Sequence, residues 1–139
     1  MARLLLRIDE ARLGFEGRFH WGPWAWTEAR LSPWRGDATS LEALGGVRLS
    51  LLRNLAFAPY GGWNFEFAAP VFGLEAFFDA EFVEIRPRIQ LGVAGMGVSV
   101  DYRLQDSPAG QARVGFLYAR RFDVRFLESA VALTTSLSF

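Results

Sequence analysis

The 139-residue chain has no cysteine, one histidine and no lysine, so all fifteen of its basic residues are arginine. The lack of cysteine removes disulfide staples, thiolate catalysis and thiolate zinc sites, and leaves the compartment open. No charge of either sign is in excess: fifteen acidic residues balance the fifteen arginines and the pI is near 6.6. A neutral chain has no global attraction for a polyanion, which disfavours nucleic acid as a partner even around the aromatic and arginine residues between His20 and Trp34. No run approaches eighteen apolar residues, which excludes a membrane-spanning helix. The segment from Met1 to Glu10 is too short in apolar residues for an export signal, since Asp9 and Glu10 follow at once. On that ground the chain either stays in the cytoplasm or is a mature form with an added methionine. Helical periodicity is also missing, and with it the helix that a metalloprotease motif or a phosphate-binding loop requires.

What is present is alternation. From Arg12 to Trp21, Leu13, Phe15, Phe19 and Trp21 share one face, and Arg12, Glu16, Arg18 and His20 share the other. Leu55 to Ala69 keeps its odd positions free of charge, with Glu66 among the even ones. Phe72 to Phe82 sets Phe72, Leu74, Ala76 and Phe78 against Glu75, Asp79 and Glu81. Met96 to Leu104 opposes Asp101 and Arg103, Ala112 to Tyr118 opposes Arg113, and Ala130 to Phe139 closes the set. Weaker alternation over Trp24 to Ser32 and Leu41 to Leu52, where Arg48 stands on the polar side, brings the expectation to about eight strands. Met1 to Asp9 is read either as part of the first strand or as one strand more. Punctuation at Gly22-Pro23, Pro33, Pro70, Pro87 and the Ser107-Pro108-Ala109-Gly110 stretch divides the strands. No linker or repeat interrupts residues 1–139. One all-β domain, an antiparallel up-and-down barrel, follows, because closure removes exposed edges. The paired glycines at Gly45-Gly46 and Gly61-Gly62, and those from Gly92 to Gly97, read as bends or lumen-facing positions.

Periodicity does not say which face points inward. The polar face mixes Gly, Ala and Ser with single charges, which suits a narrow interior better than a solvated surface. The expected interior network is Arg12, Glu16, Arg18, His20, Arg48, Glu66, Glu75, Asp79, Glu81, Asp101, Arg103 and Arg113, with Glu75, Asp79 and Glu81 pairing to Arg48, Arg103 and Arg113 rather than holding a cation. His20 reads as a hydrogen-bonding filler, and no catalytic residue, metal or cofactor is expected. Large aromatics near strand ends, Trp21, Trp63, Tyr102 and Phe139, fit an interfacial belt. Two other orientations stay open. One is a lipocalin-like cup in which Phe15, Phe19, Trp63, Phe65, Phe67, Phe78 and Phe116 line a pocket for an apolar ligand. The other is a subunit whose apolar face is covered in an obligate assembly.

The C-terminal segment, with Val131, Leu133 and Leu137 alternating up to a final Phe139, resembles the last strand of bacterial outer-membrane β-barrel proteins, and Met96 to Leu104 resembles their other strands. The relatives in kind would be small eight-stranded barrels such as the OmpA membrane domain, OmpX and OmpW. The resemblance implies an outer-membrane location, the lipid bilayer and the barrel-assembly machinery as partners, and Val131, Leu133, Leu137 and Phe139 as the assembly signal. The function it implies is structural, or a restricted passage for small solutes or ions.

Overall fold

The computed structural model describes the backbone of residues 1–7, 12–32, 40–91, 95–123 and 126–138, and within these all side chains except those at 7, 12, 32, 40, 105, 106, 119, 121–123 and 126–130. These residues form eleven antiparallel strands: β1 (Ala2–Arg7), β2 (Arg12–Trp21), β3 (Ala25–Ser32), β4 (Ser40–Val47), β5 (Leu49–Leu52), β6 (Leu55–Asn64), β7 (Ala69–Asp79), β8 (Val83–Leu91), β9 (Gly95–Ser107), β10 (Gly110–Asp123) and β11 (Phe126–Ser138). β1 pairs with both β2 and β11, and β4 pairs with β6. Ten strands therefore close a ring, and β5 stands outside the ring order, paired only with β6. β5 prolongs β4: the pairs Gly46↔Tyr60 and Leu49↔Phe57 share one register, and the break between them lies beside Pro59, which has no N–H to donate. Carried around the ring, the register returns to β1 displaced by about twelve residues, a stagger that goes with a strand tilt of about 40°.

The closed antiparallel barrel agrees with the alternation, but the ring has ten strands rather than about eight. The two additional strands are β1 and β8. β1 is the separate strand that Met1 to Asp9 left open. β8 runs straight through Pro87, although a proline in an alternating segment ordinarily marks a break. The β7–β8 ladder is interrupted between Glu75↔Arg88 and Phe78↔Ile85, around the missing proline donor, while pairing to β9 continues through Pro87↔Val98. The strand expected from Leu55 to Ala69 stops at Asn64. Residues 65–68 turn, with Ala68 at a φ of 48°, and the Asn64 side-chain carbonyl accepts the Phe67 backbone N–H at 3.0 Å. The alternation continues through this turn, so periodicity alone concealed it.

The polarity of the barrel is inverted relative to a water-soluble core. Buried side chains include Arg3, Glu16, Arg18, Glu28, Arg30, Glu42, Glu75, Arg86 and Asp101, while thirty-one large apolar side chains of the described residues are exposed. Alternation places them: in β2, Glu16 and Arg18 point inward, and Leu13, Phe15, Phe19 and Trp21 outward. Phe15, Phe19, Trp63, Phe65, Phe78 and Phe116 are all exposed, so they do not line an interior cup; of the seven rings expected there, only Phe67 packs inward. Chain termini share one end of the barrel, where Ala2 pairs with Leu137. We call this the terminal end and its opposite the distal end.

Candidate functional site

The interior is organised by register. Arg3 on β1, Glu16 on β2, Arg30 on β3, Glu42 on β4 and Asn64 on β6 are successive cross-strand partners. Their charges alternate, so each faces an opposite charge or an amide. Arg3 lies 3.5 Å from Glu16, Arg30 lies 3.3 Å from Glu16 and 3.4 Å from Glu42, and the Asn64 amide donates to Glu42 at 3.0 Å. One pairing step toward the terminal end, Arg18 donates to its partner Glu28 at 2.6 Å.

Ties across the lumen join strands that are not neighbours. Arg3 grips both oxygens of Asp101, at 3.1 and 3.0 Å, and Thr134 donates to the same carboxylate at 2.6 Å. Arg18 donates to Glu75 at 3.0 Å, with Arg30 at 3.6 Å from the same group, to which Arg88 on the adjacent strand adds a contact at 3.9 Å. Gln90 donates to Glu42 at 3.1 Å and accepts from the Tyr60 hydroxyl at 3.1 Å. Each buried charge thus has an opposite charge within reach, which is the condition under which burial of ions is tolerable.

A second row fills the remaining width by alternating large and small side chains. Trp26 pairs with Gly46, Gly46 with Tyr60, and Tyr60 with Gly73. A Cβ on Gly46 would stand 2.6 Å from the Trp26 ring, and one on Gly73 would overlap the hydroxyl end of the Tyr60 ring. Each ring leans over the glycine of the next strand. Trp26, Leu44, Tyr60 and Val71 form an apolar cluster there with Phe67 against it, and the Arg18 guanidinium lies 4.0 Å above the Trp26 ring. Gly46 thus takes one of the lumen-facing positions expected of the paired glycines, and Gly73 takes another that was not among them. Two cavities lined by described residues are small: about 20 Å³ beside Arg3, Glu16, Glu75 and Arg86, and about 180 Å³ at the terminal mouth. Outside, a shallow apolar groove of about 380 Å³ runs over Ala76, Pro87 and Gly97, between Leu74, Ile89 and Tyr118.

Of the residues expected in the network, Glu16, Arg18, Glu75 and Asp101 lie at its centre. Arg103 and Asp79 do pair, at 3.0 Å, but at the terminal rim, where Asp79 is exposed. Arg113 pairs with Glu84 at 2.8 Å rather than with the acidic trio, and His20 and Arg48 line the terminal mouth. Glu66 sits in the distal turn, and Glu81 is exposed in the turn between β7 and β8, outside the interior because the strand has already ended. The side chain of Arg12 lies outside the described residues, as does Phe139.

The network members not foreseen are Arg3, Glu28, Arg30, Glu42, Arg86 and Arg88. Glu28 and Arg30 stand on the even face of β3, where parity alone would have found them; Arg3, Arg86 and Arg88 belong to the two strands that were not separated. Trp21 and Tyr102 are exposed toward the terminal end with Trp24 and Phe82, and Trp63 and Phe65 are exposed at the distal end. Val131, Leu133 and Leu137 face outward on β11. No group of three or more potential metal-ligating residues occurs among the described residues. No family model matches the sequence, and no curated protein matches it.

Proposed function

We propose that the chain is a transmembrane β-barrel of the outer-membrane kind, with its apolar surface against acyl chains and its interior closed by paired charges. One observation carries the reading: the barrel is polar inside and apolar outside. Thirty-one large apolar side chains are exposed among the described residues, around the outer wall of the ring, where a soluble monomer keeps its largest apolar patch to about 300–600 Å². The segment from Leu13 to Trp21 spans roughly 20 Å along the axis at a tilt of about 40°, near the height of a lipid-facing belt. Aromatic rings at both ends of the barrel suit the two interfaces. The likeness of β11 to outer-membrane C-terminal strands adds recognition by the barrel-assembly machinery to this proposal, as a likeness in kind and not to the eight-stranded barrels in particular.

The role we assign is structural rather than that of an open pore. The lumen is crossed by Arg3–Asp101, Arg18–Glu75 and Gln90–Glu42, and Tyr60 and Trp26 fill the width beside them. Passage is restricted by these ties and rings. The test is expression of the full chain followed by extraction in buffer and in detergent, with gel mobility compared before and after heating. A detergent-dependent, heat-shifted band is expected; a monodisperse protein in buffer alone overturns the reading. In planar bilayers the same preparation should give no discrete conductance steps, and steady open channels would contradict the closed interior.

A further inference from the structure

The terminal mouth of the lumen gathers three arginines around one ring, and the network leaves one of them, Arg48, without a carboxylate among the described residues. Arg18, Arg48 and Arg86 place their guanidinium carbons at 6.0, 4.9 and 5.9 Å from the centroid of one ring, that of Phe77. Three like charges around a single ring repel unless each is compensated. Arg18 is compensated by Glu28 and Glu75, and Arg86 has Glu16 at 3.8 Å. Arg113, on the same cavity wall, is held by Glu84 at 2.8 Å and donates to Gln111 at 2.8 Å. Arg48 has no carboxylate partner among the described residues. Its backbone N–H is fixed to the Trp24 carbonyl at 2.6 Å, at the break between β4 and β5, which keeps the side chain on the inward parity of Glu42 and Leu44. The cavity beside it is about 180 Å³, the share of roughly six water molecules, and Glu84 is the one carboxylate among its described lining residues.

We propose that this mouth binds a phosphate group, with Arg48, the one arginine of the three that has no carboxylate among the described residues, supplying the guanidinium fork that takes the oxyanion. A guanidinium presents paired N–H donors to two oxygens at once, and that of Arg48 lies 4.9 Å from the centre of the Phe77 ring. The hydroxyl of Ser136 and the imidazole of His20, on the same wall, offer further contacts to a tetrahedral ligand. Phosphate reaching this end of a barrel can belong to a free ion or to a lipid headgroup, and both present the same oxygens. The inference stands on the mouth itself and does not require the membrane reading.

The experiment is calorimetric titration of the folded full chain with inorganic phosphate, and separately with dihexanoyl phosphatidic acid as a monomer, at matched ionic strength in potassium chloride. Wild type should bind at least one probe saturably. Arg48→Gln should weaken that binding about tenfold or more, whereas Arg103→Gln, at the rim and paired with Asp79, should leave it unchanged. Binding of phosphate identifies a free anion, and binding of the lipid probe alone identifies a headgroup. No saturable binding of either probe, or equal binding by Arg48→Gln, overturns the proposal. A check that needs no variant is labelling of wild type with phenylglyoxal, mapped by mass spectrometry. The bound probe should protect Arg48, and full labelling of Arg48 at saturating phosphate and lipid probe overturns it as well.

Discussion

Replacing Phe116 by arginine separates a surface that faces lipid from one that faces water. Phe116 is 53% exposed in the middle of β10, with Val100 and Leu133 as its cross-strand partners. It lies about six residues from Gly110. At about 3.3 Å per residue and a tilt of about 40°, it therefore stands roughly 15 Å above the terminal rim, near the centre of a belt of about 25 Å. A cationic side chain at the midplane costs about 2–4 kcal/mol, and one near the interface about 0–1 kcal/mol. Leu91, the last residue of β8 and 64% exposed, marks the distal rim. In water both substitutions would cost under about 1 kcal/mol, because each removes a half-exposed side chain and the arginine stem keeps part of the contact. The informative quantity is the difference between Phe116→Arg and Leu91→Arg, about 2 kcal/mol in a bilayer and near zero in water. Urea-dependent folding into phosphatidylcholine vesicles measures it, with the folded fraction read from heat-modifiable mobility and far-ultraviolet circular dichroism. Equal losses for the two variants, or a loss under about 1 kcal/mol for Phe116→Arg, would refute the lipid-facing belt.

The other expectations concern the interior. Glu75→Leu removes the carboxylate that Arg18, Arg30 and Arg88 share and should cost about 3–5 kcal/mol in the same titration, as broken buried pairs do. Glu81→Leu, in an exposed turn, should stay within about 0.5 kcal/mol, so similar losses for the two would show that Glu75 is not part of a buried network. Gly73→Ala drives a methyl into the Tyr60 ring and should cost about 1–3 kcal/mol by overpacking. Adding Tyr60→Leu removes the obstructing ring, so thermal unfolding of the double variant should show less loss than the two single losses combined; simple additivity would count against ring-over-glycine packing.

How much of this was legible in the sequence depended on whether a feature resides in one strand or between strands. The division of β2, β7 and β9 into two faces followed from parity, because side chains alternate regardless of which strand lies alongside, while parity left open which face is inside. Strand number did not follow, since Pro87 and the alternating turn after Asn64 both mislead a reading along the chain. Pro87 is tolerated because its outward-facing position interrupts the ladder on the β7 side and leaves pairing with β9 intact. Asn64 ends β6 through a side-chain hydrogen bond that no periodicity records. Glu16 and Asp101 could be assigned to the interior, but their partner Arg3 could not, because 98 residues separate Arg3 from Asp101 and the register around ten strands brings them together.

Register also explains why a charged interior can replace an apolar one here. Arginine and glutamate share the interior with Trp26, Tyr60 and Phe77, and their polar ends meet one another there. In the row from Arg3 to Asn64, each inward side chain meets its partner on the adjacent strand, so alternating sign leaves Glu16 and Glu42 on either side of Arg30. Sliding any one strand by a single residue turns its charged set outward and its Leu or Phe set inward. A slip by two residues keeps parity but changes which inward residues meet: Arg30 would face Arg18 across the β2–β3 seam, or Gly14 in the other direction, instead of Glu16. Both slips leave ions uncompensated inside the barrel, at a cost of several kcal/mol each. The charge pattern therefore acts as the register code of the barrel. Exchanging Glu16 and Arg30 with each other should preserve their mutual pair but set like charges against Arg3 and Glu42, and so fold less well than wild type. Exchanging all four residues, Arg3, Glu16, Arg30 and Glu42, for their opposite signs restores alternation along the row and should recover part of that loss. The four-residue variant folding no better than the two-residue exchange would show that the charges fill space without setting the pairing.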